Sequence, residues 1–161
     1  MGDLEIGSIT LDDFADWHGE YQGGGTNHEG EQFTASAAIS AAGGGNALCL
    51  EFTAWSADGK VLHGETSLIA WRSDLRRLCL AQTCSNIRGI TVHDLADAQS
   101  ADAGGLGRAA FLFGGEDKGH FRQVLALTRR NNGSLEYRFA WALPGETVSE
   151  RSFAVMALVE D

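Results

Sequence analysis

Hydrophobic and polar residues alternate with a period of two along most of this chain, which is typical of strands that bury one face. Residues 48–55 show the pattern clearly, and Asp58-Gly59 after them is a strong signal for a hairpin turn. The same rhythm places aromatic residues on one face of residues 134–143. The pattern predicts ten strands, over residues 21–25, 31–42, 48–55, 60–71, 75–84, 87–94, 108–113, 120–130, 134–143 and 150–159.

Two segments depart from the strand pattern. Near the start, Thr10 and Asp13 resemble a capping box, and they predict a short helix that buries Phe14 and ends near Trp17. The stretch from Leu95 to Gly107 is rich in Ala, Asp and Gly, and it is predicted to be a long loop.

The strands are joined mostly by short connections, so neighbours in sequence should pair antiparallel. Ten meandering strands avoid exposed edges by closing on themselves. The predicted fold is all-β, a single antiparallel up-and-down β-barrel of about ten strands with a short N-terminal helix, in one domain over residues 1–161. Such a barrel has room for an apolar ligand, although side chains that fill the interior are the alternative.

The charge distribution argues against several partners. The net charge is −10, and ten acidic residues precede the first basic residue, Lys60. This surface repels polyanions, so no nucleic-acid partner is expected. The start carries no secretory signal and no stretch is long and apolar enough for a bilayer, so we predict a cytoplasmic protein without a membrane partner. The three cysteines suit reduced thiols that act as small buried residues. A homodimer is compatible with these features.

The candidate ligand-binding residues are His63, Leu62, Glu65, Tyr137 and Trp141. His63 and Glu65 lie two apart on one strand, so both project from the same face. That face is either the cavity, where an imidazole can bind or act as a base, or the surface; the alternation leaves both open. Tyr137 and Trp141 are favoured as ligand-binding residues because the aromatic residues of their predicted strand all lie on one face.

Other motifs do not indicate a site. The histidines and cysteines lack the spacing of a metal centre, so no metal is predicted. The glycine runs at Gly23 and Gly43 lack the context of a phosphate loop, and they are interpreted as turns or bulges.

Three stretches resemble the nitrobindin family, whose ten-stranded barrels are related in fold to fatty-acid-binding proteins and lipocalins, the calycins. Trp17-His18-Gly19 and the glycines after it resemble the family's W-x-G-x-G-x-G opening. Residues 59–66 resemble its G-x-x-x-H-x-E-x-G stretch, with Ser67 in place of the last glycine. Residues 129–137 resemble its R-R-x-x-x-x-G-x-L-x-Y hairpin, with fewer residues before the glycine. Bacterial barrels of the same fold are equally compatible.

The resemblance implies a calycin-like barrel with His63 on the distal side of a haem b. The family's proximal histidine has no counterpart, because residues 147–152 contain no histidine. Haem b and a reaction on nitrogen oxides are therefore disfavoured. The leading hypothesis is binding of a small apolar or amphipathic molecule, with His63 and Glu65 as an enzymatic base pair the remaining alternative.

Overall fold

Ten β-strands follow two short 3₁₀ segments in the computed structural model of this protein, which describes residues 2–160. The first two 3₁₀ segments are Ile6–Ser8 and Leu11–Trp17, and a third, Gly43–Gly45, joins two strands. The strands are β1 (Gly19–Asn27), β2 (Gln32–Ala42), β3 (Ala47–Trp55), β4 (Val61–Arg72), β5 (Arg77–Cys84), β6 (Ile87–Ser100), β7 (Leu106–Phe113), β8 (Arg122–Arg129), β9 (Leu135–Ala142) and β10 (Ser149–Leu158).

Each strand pairs antiparallel with its neighbours in sequence, and β1 closes the barrel by pairing with β10. In this closing seam Tyr21 lies opposite Leu158 and Asn27 lies opposite Ser152. The prediction of an all-β, up-and-down barrel of ten strands is confirmed. Closure leaves none of the ten strands as an unpaired edge.

Alternate positions along the strands face the interior, as the period of two requires. On β3 the residues that point inward are the apolar ones of the alternating pattern, and all four are buried: Leu48, Leu50, Phe52 and Ala54. On β4 the inward positions are instead polar near one end, where Glu65 and Ser67 are buried. This polar stretch of the interior marks the site described below.

The segment Leu11–Trp17 plugs one end of the barrel. Phe14 and Trp17 are buried and meet edge to face, with ring centroids 4.9 Å apart. The Trp17 indole Nε1 donates to the carbonyl of Leu106, 3.3 Å away, which ties the plug to β7. Thr10 N–H donates to the Asp13 carboxylate at 2.8 Å. The predicted helix is present at the predicted place, in the tighter 3₁₀ form.

The long loop predicted from Leu95 to Gly107 is wrong. Strand β6 continues to Ser100 and β7 begins at Leu106, so only five residues connect them. The pairing of these strands shifts register twice, between Leu95 and Asp97 and between Gln99 and Ser100. Each irregularity adds a residue to one strand. The extra residue interrupts the alternation of apolar and polar positions from which a strand is predicted, so this segment was predicted to be a loop.

The two glycine runs have different roles. Gly43–Gly45 forms a turn, as predicted, in which all three residues have positive φ. Gly23 to Gly25 lies within β1, where the pairing with both neighbours is continuous, so a turn or bulge is wrong there. A Cβ on Gly25 would lie 1.8 Å from the carbonyl oxygen of Phe153. These glycines are needed because neighbouring backbone approaches β1 too closely for any side chain.

The three cysteines are free thiols. Cys79 is buried, whereas Cys49 and Cys84 are only half-buried, so the expectation that all three are buried is wrong for two of them. Burial raises the pKa of the Cys79 thiol. Among residues 2–160, no helix has the length and apolar character needed to cross a bilayer.

Candidate functional site

A cavity of about 230 Å³ lies at the end of the barrel opposite the helical plug. The chain reaches this end at the close of β1, β3, β5, β7 and β9 and at the start of the strands that follow them. Its walls combine six apolar or aromatic side chains with six polar ones. Small-molecule sites pair apolar surface with polar groups that fix the orientation of the ligand. We call it the first cavity; its lining residues are Asn27, His28, Phe33, Phe52, Ala54, Leu62, His63, Asn86, Phe139, Trp141, Arg151 and Ser152.

His63 and Glu65 both point into the barrel, which decides between the two orientations that the sequence allowed. The His63 side chain is 15% exposed and lines the first cavity, and the Glu65 side chain is fully buried. Leu62, one position earlier on β4, lies on the opposite face, is 37% exposed and reaches only the rim of the cavity.

Four side chains form a continuous hydrogen-bonded array beside the first cavity. Asn86 Nδ2 lies 2.9 Å from His63 Nδ1, so the His63 ring carries its proton on Nε2 when the amide donates. Nε2 then donates to Glu65 Oε2, 2.9 Å away. The Tyr137 hydroxyl donates to the same oxygen at 2.5 Å. The array fixes the orientation and tautomer of the imidazole ring.

Tyr137 lies deeper than the cavity and does not line it. Its ring stacks on Phe52, with centroids 3.9 Å apart and planes nearly parallel at 4°. Burial, and then the negative charge of Glu65, raise the pKa of Tyr137 well above its usual value, so the hydroxyl remains a donor. The second oxygen of Glu65, Oε1, has no hydrogen-bond partner among the described residues. An unpartnered buried polar atom costs about 1–3 kcal/mol.

Trp141 of β9 lines the first cavity next to Arg151 of β10. The Arg151 guanidinium lies over its ring, 3.8 Å from the centroid, in a cation–π contact. Arg151 also approaches Glu146, with Nη2 3.4 Å from the carboxylate, and its side chain is only 20% exposed. His28 meets another part of the same ring, with centroids 6.3 Å apart. The rim therefore places a cation and an imidazole around one indole.

A second cavity, also of about 230 Å³, lies on the other side of Phe139 and Trp141. It shares Asn86, Phe139 and Trp141 with the first cavity. Its lining residues are Cys84, Asn86, Ile87, Phe121, Gln123, Phe139, Trp141 and Leu143.

A second buried polar cluster lies behind the second cavity. Gln123 Nε2 donates to Gln82 Oε1 at 3.0 Å and to His93 Nε2 at 2.8 Å. Gln82 Nε2 donates in turn to Ser67 Oγ at 3.2 Å. Burial lowers the pKa of His93 to about 4, so its Nε2 accepts as a neutral ring at neutral pH. Gln123 Oε1 has no partner among the described residues.

The structure brings His63 and Trp141 to the cavity wall and Leu62 to its rim, whereas Glu65 and Tyr137 lie buried behind His63. Sequence analysis missed Asn86 and Arg151. Asn86 sits in a turn, where an Asn is expected for conformational reasons alone. Arg151 lies in the region where the resemblance implies a proximal histidine. A charged side chain at that place in the sequence could have indicated a residue of the site.

The donor set does not fit haem b as the resemblance implies it. Arg151 and Ser152 line the cavity in the region expected to supply the proximal ligand, and neither offers an imidazole. Both ring nitrogens of His63 are already engaged, by Asn86 and by Glu65. No group of three or more His, Cys, Asp or Glu side chains within residues 2–160 is arranged to hold a metal ion.

Comparison with known proteins identifies the fold and no family. No family model matches the chain, and no curated protein matches it. The chain is similar to the crystal structure of Rv2717c from M. tuberculosis, with a TM-score of 0.62 and 16% sequence identity over 98% of this chain and 100% of that one. A de novo designed fluorescence-activating β-barrel matches at a TM-score of 0.45 and 13% identity, over 93% of this chain and 100% of that one. At 16% sequence identity, the likeness to Rv2717c shows a shared barrel fold and nothing more.

Proposed function

We propose that this protein binds a small amphipathic molecule in the first cavity, at the open end of the barrel. The observation that carries the proposal is the composition of the cavity wall. Phe33, Phe52, Phe139 and Trp141 supply apolar surface, and six polar side chains line the same cavity. Apolar surface removed from water contributes about 25 cal/mol per Å², so an apolar ligand body drives binding.

The polar groups at the rim support a hydrogen-bond acceptor as the polar part of the ligand. Arg151 is mostly shielded from solvent, and Trp141 holds its guanidinium in place. The amide of Asn86 lies on the same cavity, next to His63. Because both groups are positioned before any ligand arrives, little side-chain entropy is lost on binding.

Filling the first cavity tests the proposal. Ala54 lines the cavity, so Ala54→Phe places a ring where the ligand would lie. The matched control is Ala140→Phe on β9. Because the adjacent residue Phe139 points inward, the side chain at position 140 points outward, and this substitution adds the same ring outside the barrel. We expect Ala54→Phe to weaken binding of anilinonaphthalene sulfonate at least about tenfold, a loss of about 1.4 kcal/mol. Circular dichroism verifies that both variants fold.

Equal affinity of the two variants for the dye would refute the proposal. Native mass spectrometry of the protein purified without added ligand provides a second readout, and an adduct that Ala54→Phe removes would support it. A haemin titration belongs in the same series. A sharp Soret band that His63→Ala abolishes would replace this proposal with a haem function.

A second candidate function, general acid–base catalysis, is favoured by the array that orients His63. Glu65 holds Nε2–H, which leaves Nδ1 as the basic nitrogen once Asn86 turns aside. Titration of the His63 ring by NMR tests this candidate. A ring that titrates identically in the wild type and in Glu65→Gln would eliminate it, because the carboxylate would then have no influence on the base.

A further inference from the structure

One of the residues that line the second cavity carries a hydrogen-bond acceptor with no partner among the described residues. Gln123 lines this cavity and its side chain is completely buried. Both amide hydrogens are committed, one to Gln82 Oε1 and one to His93 Nε2. Turning this amide over would require the Gln82 amide to turn and the His93 ring to exchange its proton between nitrogens. In the arrangement that the structure shows, Oε1 has no partner among residues 2–160. A buried acceptor fixed in this way favours a ligand that brings a donor.

We propose that the second cavity binds a neutral aromatic ring that carries a hydroxyl or N–H group, and that this group donates to Gln123 Oε1. The inference rests on the proposed function, because the two cavities share Asn86, Phe139 and Trp141 and would serve one ligand site.

The rest of the wall explains why the ring should be aromatic and uncharged. Phe121 and Trp141 face each other across 6.3 Å between centroids, at an interplanar angle of 37°. Ile87 and Leu143 add aliphatic surface, and none of the side chains lining the cavity is charged at neutral pH. A carboxylate or an ammonium would lose its hydration there without a counter-charge.

The size of the cavity is compatible with such a ring. A cavity of about 150 Å³ lined by Leu, Ile and Phe is known to bind benzene. The second cavity, at about 230 Å³, accommodates a larger ring system with one substituent.

Three probes of similar shape test the proposal: 2-naphthol, 2-methoxynaphthalene and 2-methylnaphthalene. Only the first carries a hydrogen-bond donor, and the second carries an oxygen that can only accept. Affinities are measured by quenching of tryptophan fluorescence. We expect 2-naphthol to bind about tenfold more tightly than the other two, which should bind about equally.

Variants assign the preference to Gln123. Gln123→Met keeps the length of the side chain and removes the amide, so the advantage of 2-naphthol should vanish. Gln82→Met is the matched control, because it disturbs the same buried cluster while Gln123 Oε1 stays in place. It should retain the advantage. Should Gln123→Met fail to fold, the wild type decides, since its Gln123 side-chain amide signal in NMR should shift with 2-naphthol and not with 2-methoxynaphthalene.

The failures of the two proposals are distinguishable. Equal binding of all three probes, or an advantage that persists in Gln123→Met, would overturn the inference while leaving dye binding in the first cavity intact. Loss of the proposed function would instead show as a dye affinity that Ala54→Phe leaves unchanged.

Discussion

The buried imidazole of His93 should make the stability of this protein depend strongly on pH. His93 is completely buried in β6, and burial lowers its pKa from the ordinary 6.5 to about 4. In the unfolded chain the ring takes up a proton below about pH 6.5, whereas in the folded barrel it does so only near pH 4. The unfolded state therefore binds more protons in this window, and stability falls as pH is lowered through it.

The size of the effect follows from the difference between the two pKa values. At 1.36 kcal/mol per pKa unit, that difference corresponds to about 3 kcal/mol lost between neutral pH and about pH 4. Below about pH 4 the ring is protonated in both states, and its contribution to the pH dependence ends. A loss of this size is a large part of the 5–15 kcal/mol that typically separates folded from unfolded protein.

Urea unfolding at a series of pH values measures the effect. His93→Gln retains an amide that can accept from Gln123 but does not titrate, so we expect its unfolding free energy to fall by about 3 kcal/mol less than that of the wild type over the window. His120→Gln, at a side chain that is 72% exposed, is the control and should follow the wild type. Parallel curves for wild type and His93→Gln would refute the reasoning, because some other group would then carry the acid sensitivity.

Two further substitutions, one of them with a matched control, test the interior of the barrel. Tyr137→Phe keeps the stacked ring and removes the hydroxyl that donates to Glu65, so we expect a loss of about 1–3 kcal/mol in urea unfolding; an unchanged midpoint would contradict the buried array. Gly25→Ala puts a methyl group against the carbonyl of Phe153 and should destabilise the fold by more than about 2 kcal/mol. Gly64→Ala, where nothing lies within 4 Å, should change stability by less than about 0.5 kcal/mol, and thermal melts that rank the two glycines equally would contradict the close approach along β1.

The candidate site could be predicted only in part. The spacing of His63 and Glu65 showed that the two side chains lie on the same face of their strand. The aromatic residues on one face of β9 correctly predicted that Trp141 lines the cavity. Asn86 and Gln123 could not be found, because their roles depend on partners 23 and 41 residues away in the chain. Neither residue belongs to a local pattern that a sequence period would expose.

The sequence by itself determined most of the strands and their antiparallel order, because a period of two and short turns are local properties of the chain. It also specified the helical plug through Thr10, Asp13 and Phe14. Only the tertiary structure decided which face of β4 points inward, since a strand with polar residues on one face and mixed residues on the other satisfies alternation either way. Closure of the barrel settled this choice, and by bringing distant strands together it created the two cavities and the unpartnered amide oxygen beside the second.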